Sequence, residues 1–157
     1  MPEREHLRRL SNVWVKQPLY FLTACTHERR PILTAPGVPE LLIEAWRVSS
    51  EINGWGVGRY VVMSDHVHFF AKPLSQRKSL SGFIRDWKRW TGGEILRVSP
   101  LAAPIWQSEF FDHVLRSVQS YEEKWNYVRE NPVRAGLAAK ADDWPHAGEC
   151  EVLGFKL

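Results

Sequence analysis

The stretch VVMSDHVHFFAKP, residues 61–73, decides how this chain is read, because it holds a strand, a turn and a second strand in one short run. GVGRYVVMS, residues 56–64, ends in β-branched residues, Ser64-Asp65 supplies turn chemistry, and HVHFFAKP, residues 66–73, resumes as a strand. Alternation along that second strand sends His66 and His68 to one face and Val67 to the other. Two imidazoles so close either hold a cation together or form a polar pair near a sheet edge, and the spacing alone serves both readings. A histidine-triad hydrolase of the His-x-His-x-His type is excluded, since Phe70 takes the next position on that face.

Working outward from the hairpin, PLYFLTACT at 18–26 reads as a first strand, rich in aromatic and β-branched residues, followed by the loop HERRPIL. A helix opened by Pro36 and Pro39 carries Leu41, Leu42, Ala45, Trp46 and Ser49 on one stripe and stops near Asn53-Gly54. Beyond the hairpin, a second helix over 79–98 is expected to bury Phe83, Trp87 and Trp90, with Gly92-Gly93 as a possible break. IWQSEFFDHVLRS, 105–117, reads as the fourth strand, and 117–131 as a third helix that Pro132 ends. The tail from 132 has no period and is expected to wrap irregularly. The order β-α-β-β-α-β predicts an α+β, ferredoxin-like antiparallel sheet of four strands with helices on one face, plus a C-terminal helix, all in one domain over 1–157.

Composition narrows the class. Twenty-one Lys and Arg against eighteen Asp and Glu give a net charge of +3 and a pI near 9.0, which permits a polyanionic partner without demanding one. Eight tryptophans can serve as core, interface or base-stacking surface. Cys25 and Cys150 stand alone and form no CxxC, so neither a zinc ribbon nor a redox pair is indicated. The charged N-terminus has no apolar core behind it, and no run approaches a membrane span, so a reducing cytoplasmic setting is expected.

A second set of residues capable of chemistry lies in YVRENP, 127–132. Tyr127 and Asn131 are four apart, which on a continuous helix puts both on one face of the last turn. The bland reading is a core-packed tyrosine and an asparagine closing a helix. The two sets change each other's meaning. HVHFF, then a basic-aromatic helix, then YVRENPVRAGL, in this order in one small chain, resemble the single-tyrosine HUH transposases, and most closely their REP-associated tyrosine transposase branch. The resemblance runs over most of the chain. It takes in YFLTACTHERRPIL as the first strand and loop, VVMSDHVHFFAKP as the HUH strand, FFDHVLRS, and NPVRAGL with DDWPHAG at the C-terminal end.

That resemblance implies a metal-dependent nuclease and strand transferase acting on single-stranded DNA beside a REP-like hairpin, through a 5′-phosphotyrosine. His66 and His68 match the histidines that hold Mg²⁺ or Mn²⁺, Asn131 the polar residue completing the metal site, and Tyr127 the nucleophile. The alternative is a regulator that retains the fold and binds hairpins without cutting them. Either a monomer or a homodimer is compatible with the branch. Candidate DNA contacts are Arg85, Lys88 and Arg89 beside Trp87 and Trp90, Arg129 and Arg134 flanking Tyr127, and His27, Arg29 and Arg30 in the first loop. Asp65 is a candidate for orienting a ligand or a plain turn residue, His113 an edge-strand histidine or a site wall, and Tyr121 a rival nucleophile without the Asn-Pro that follows Tyr127.

Overall fold

The computed structural model describes residues 18–155; the charged N-terminal stretch read above lies outside them. Strand β1 (Leu19–Cys25) leads through a short 3₁₀ turn at His27–Arg29 to helices α1 (Val38–Arg47) and α2 (Ser49–Ile52). The hairpin β2 (Trp55–Val62) and β3 (His66–Pro73) is followed by α3 (Leu80–Val98) and β4 (Phe111–Leu115). Then come α4 (Val118–Val128), α5 (Asn131–Arg134) and β5 (Ala147–Glu149). The strands form one antiparallel sheet in the order β4-β1-β3-β2-β5. The expected ferredoxin-like order is present, enlarged by a fifth strand.

Period-two alternation in β3 gives the sheet two unlike faces. Val67, Phe69 and Ala71 point into an aromatic core with Trp46 of α1 and Phe83 and Trp87 of α3, and all of them are buried. The Trp46 ring lies 5.0 Å from Phe69 and is nearly parallel to Trp87 at 5.9 Å, offset contacts that large rings favour. Helix α3 starts cleanly because the Ser79 hydroxyl accepts from the Gly82 N–H at 3.1 Å. On the opposite face, α4 covers Phe70 with Tyr121 and Trp125, at ring separations of 4.9 and 6.1 Å.

Several expectations are corrected. The tail is not wholly irregular: β5 pairs with β2 as Arg59↔Glu149, Tyr60↔Gly148 and Val61↔Ala147. This strand has no propensity of its own, and a Cβ on Gly148 would stand 2.7 Å from the Tyr60 hydroxyl, so glycine permits the approach. The first helix breaks at Val48 (φ −94°, ψ 4°) instead of running unbroken to Asn53. Trp90 is 50% exposed, because the buried stripe of α3 runs through Phe83, Ile84, Trp87, Thr91 and Ile95, and Gly92-Gly93 does not interrupt the helix. The fourth strand is shorter than 105–117. Residues 105–110 leave the sheet after one bridge, Thr26↔Trp106, and the Trp106 indole donates to Thr91 Oγ1 at 2.9 Å on α3. Helix α4 ends at Val128, and Pro132 lies in the first turn of α5, where a missing N–H costs nothing.

Candidate active site

Strand pairing fixes the histidines. Thr23↔His68 and Cys25↔His66 are cross-strand partners of β1 and β3, so both imidazoles rise from the middle of the sheet on the face that α4 partly covers. Their rings are 4.8 Å apart and near perpendicular. His66 Nδ1 lies 2.8 Å from Asp65 Oδ1, and an ionised carboxylate can only accept, so Nδ1 carries a proton and Nε2 is the nitrogen through which a neutral ring would ligate. His68 Nδ1 lies 2.8 Å from Thr23 Oγ1, and where that hydroxyl accepts, Nε2 is the nitrogen free to ligate. Anchoring one ring nitrogen so that the other can ligate is the usual arrangement at metal-binding histidines.

The electrostatics agree with that geometry. Burial, joined by the charges of His66, Lys124 and Arg134, pushes His68 down to about 3, so its imidazole is neutral at ordinary pH. Burial raises the Asp65 carboxyl, but the hydrogen bonds and charges of His66 and Arg29 outweigh it and hold the group below the ordinary carboxylate range. Arg29 reaches this position because Glu28 and Arg29 both adopt left-handed backbone, φ 57° and 53°. Its guanidinium pairs with Asp65 at 3.1 Å and lies 3.4 Å from His66 Nδ1. The shorter Asp65 contact governs that nitrogen, and Arg29 neutralises the carboxylate. Asp65 is therefore an anchor as well as a turn residue.

Tyr127 lies on the last turn of α4 and is 63% exposed. Trp125 and Val128 pack that turn against Phe21, Val61 and Met63, and Phe21 is stacked on His68 at 5.2 Å. The Arg134 guanidinium covers the Tyr127 ring at 4.0 Å, donates to the Tyr127 carbonyl at 2.8 Å, and donates to Asn131 Oδ1. Asn131 thus stands beside Tyr127 through Arg134 and not through a shared helical turn. Lys124 Nζ sits 5.0 Å from the Phe21 ring, adding a second cation to this corner. Among the described residues no cluster of three His, Cys, Asp or Glu side chains could hold a metal ion, so a third ligand drawn from these residues would be an amide, hydroxyl or carbonyl. Tyr121, the rival nucleophile, is buried against Phe70, and burial pushes its hydroxyl up to about 12.

The remaining basic residues divide by role. Arg129 ties α4 to the tail through Asp142 at 2.5 Å. The Arg30 guanidinium donates to the carbonyls of Ala102, at 3.1 Å, and Pro104, and Lys88 donates to those of Gln107 and Glu109 at 2.7 and 2.6 Å. Both therefore hold the 102–110 segment in place. Arg85 and Arg89 are exposed on α3, while His27 lies 3.6 Å from Glu28. None of these six contacts the imidazole pair. Sequence reasoning missed Thr23, Lys124 and Phe111. The register Phe111↔Thr23↔His68 puts Phe111 on the histidine face, 66% exposed on the edge strand, with His113 two residues along on the same face. Alternation within FFDHV was the available signal for Phe111; nothing local signalled Lys124.

A REP-associated tyrosine transposase of Escherichia coli (strain K12) is 29% identical over 96 residues, 60% of this chain and 52% of that protein. The chain thus spans about half the length of that curated relative. Among solved structures, a REP-associated tyrosine transposase bound to a REP hairpin superposes with a TM-score of 0.70 at 22% identity, over 83% of this chain and 76% of that one. A Deinococcus radiodurans protein proposed to be a transposase gives 0.56 at 19% identity, over 73% and 90%. The model of the family described as "Transposase IS200 like" matches residues 15–131, taking in the histidine pair, Tyr127 and Asn131, and the chain belongs to that family.

Proposed function

We propose that this protein is a metal-dependent single-stranded DNA endonuclease and strand transferase that cuts beside a folded hairpin. The observation that carries the reading is the imidazole pair with each Nδ1 anchored, by Asp65 and by Thr23, beside a corner where Arg134 covers the exposed Tyr127 and Lys124 lies over Phe21. A neutral His68 and a His66 with an available Nε2 suit a divalent cation, Mg²⁺ or Mn²⁺, and imidazole favours Mn²⁺. Asn131 becomes the third protein ligand if its amide oxygen leaves Arg134. When bound, the cation offsets phosphate charge and stabilises the departing oxygen. Tyr127 attacks the phosphorus: its oxygen forms the new P–O bond, the bond to the 3′-oxygen breaks, the phenolic proton leaves and the 3′-oxygen takes one up. The phosphotyrosine keeps the bond energy for rejoining. Arg134 and Lys124 hold the phosphate at the tyrosine. A REP-like hairpin is the partner supported by the relative that carries one.

One observation favours a second reading. The Arg134 hydrogen bond occupies the Asn131 amide, as befits a hairpin-binding regulator that never assembles a metal site. Incubating labelled hairpin oligonucleotides with Mn²⁺ or Mg²⁺ separates the two. A metal-dependent protein–DNA adduct, absent in Tyr127→Phe, supports the nuclease; tight binding without adduct under either metal rejects it and leaves the regulator.

A further inference from the structure

We propose a second DNA site, resting on the DNA-processing reading above: the groove between α3 and residues 103–110 holds the unpaired strand that flanks the hairpin. The groove has a volume of about 1030 Å³. Its floor is apolar, made by Ile84, Leu96, Ile105 and Phe110, and its rim is basic, made by His27, Arg85 and Arg89. No lining residue is acidic. An unstacked base needs an apolar or aromatic surface while its phosphate needs a cation, and this groove offers both. A duplex keeps its base faces stacked internally and has no use for the floor. The rim holds surplus charge too, because Lys78, Arg85 and Arg89 share the single carboxylate of Asp86 at 2.8, 3.3 and 3.5 Å.

The groove joins the imidazole site through one turn. The His27 N–H donates to the Ile105 carbonyl at 2.8 Å, closing the groove's end, while the Thr26 N–H donates to the Asp65 carbonyl at 3.0 Å. Arg29, two residues on, pairs with the Asp65 carboxylate. The imidazoles stand on the opposite face of the sheet from α3, so a strand running between the two sites would pass around this turn at the end of β1. Gly93 offers a clean probe, since it lines the groove and a Cβ there meets nothing within 4 Å, whereas one on Gly92 would meet Trp106 at 3.7 Å.

The test is fluorescence anisotropy in EDTA, where no cleavage occurs, with a blunt hairpin and the same hairpin bearing an unpaired thymidine tail. In the wild type the tail tightens binding about tenfold, the worth of one stacked base. Gly93→Trp and the double variant Arg85→Ala/Arg89→Ala lose that gain, keep blunt-hairpin binding, and melt as the wild type does. If Gly93→Trp fails to fold, the arginine variant carries the same comparison. A tail gain that persists in the folded variants, a wild type indifferent to the tail, or equal loss of blunt-hairpin binding each overturns the proposal, the last by making the groove a duplex site. A wild type that shows the tail gain but forms no adduct supports the groove and overturns only the nuclease reading.

Discussion

The two faces of β3 are built from one run of eight residues, yet they do opposite work. Towards α1 and α3, Val67, Phe69 and Ala71 are wholly buried among Trp46, Phe83 and Trp87. Towards α4, Phe70 is sealed by Tyr121 and Trp125, and the strand gives way to His68 and His66 where the helix ends. The first face is closed and apolar and sets the fold. The second is covered only part of the way, and its open end collects the imidazoles, Arg29, Tyr127, Arg134 and Lys124. Strand alternation lets a single β3 serve both, so substitutions one residue apart should separate stability from chemistry.

The largest separation is expected at Tyr127. Tyr127→Phe abolishes the covalent adduct and leaves the melting temperature unchanged, because the ring is mostly exposed; a shifted melt would mean that the hydroxyl supports the fold. Phe69→Ala does the reverse. It costs about 3–5 kcal/mol in urea unfolding by opening a cavity in the aromatic core, whereas a loss under 1 kcal/mol would show that the α1–α3 layer collapses around it. Asp65→Asn weakens Mn²⁺ binding by about 10–100-fold, measured by calorimetry, by loosening the hold on His66 Nδ1. Unchanged affinity would reduce Asp65 to a turn residue.

A smaller effect is set by pH. Folded His68 resists protonation until about pH 3, while an unfolded imidazole takes its proton near pH 6.5. Between those values the unfolded chain binds more protons, so stability is complete above pH 6.5 and declines as pH falls. In EDTA the decline from pH 6.5 to about pH 5 amounts to about 2 kcal/mol, and His68→Gln flattens it. An unaltered slope in that variant would locate the titration elsewhere.

Much of this was legible from residues alone, for identifiable reasons. The β-α-β-β-α-β order followed from hydrophobic period and turn chemistry, and the shared face of His66 and His68 from alternation. What escaped was imposed from outside each segment. β5 exists because β2 has an open edge and Gly148 admits the Tyr60 ring. Residues 105–110 read as strand but are drawn off the sheet when Trp106 buries its indole against Thr91 and Lys88 and Arg30 grip the carbonyls. Trp90 fitted the buried period by position, yet the stripe through Thr91 and Ile95 leaves it half in solvent. Tyr127 and Asn131 were placed on one helical turn, whereas a helix end separates them and Arg134 bridges the gap.

The claim that the open end of this sheet face is a reaction centre rests on Tyr127, and the direct measurement is peptide mapping by mass spectrometry of a protein–oligonucleotide adduct formed with Mn²⁺. The account predicts a nucleotide linked to the peptide containing Tyr127 and to no other. Linkage to Tyr121 or Tyr60, both buried, or no linked peptide with a hairpin the protein binds tightly, would contradict it.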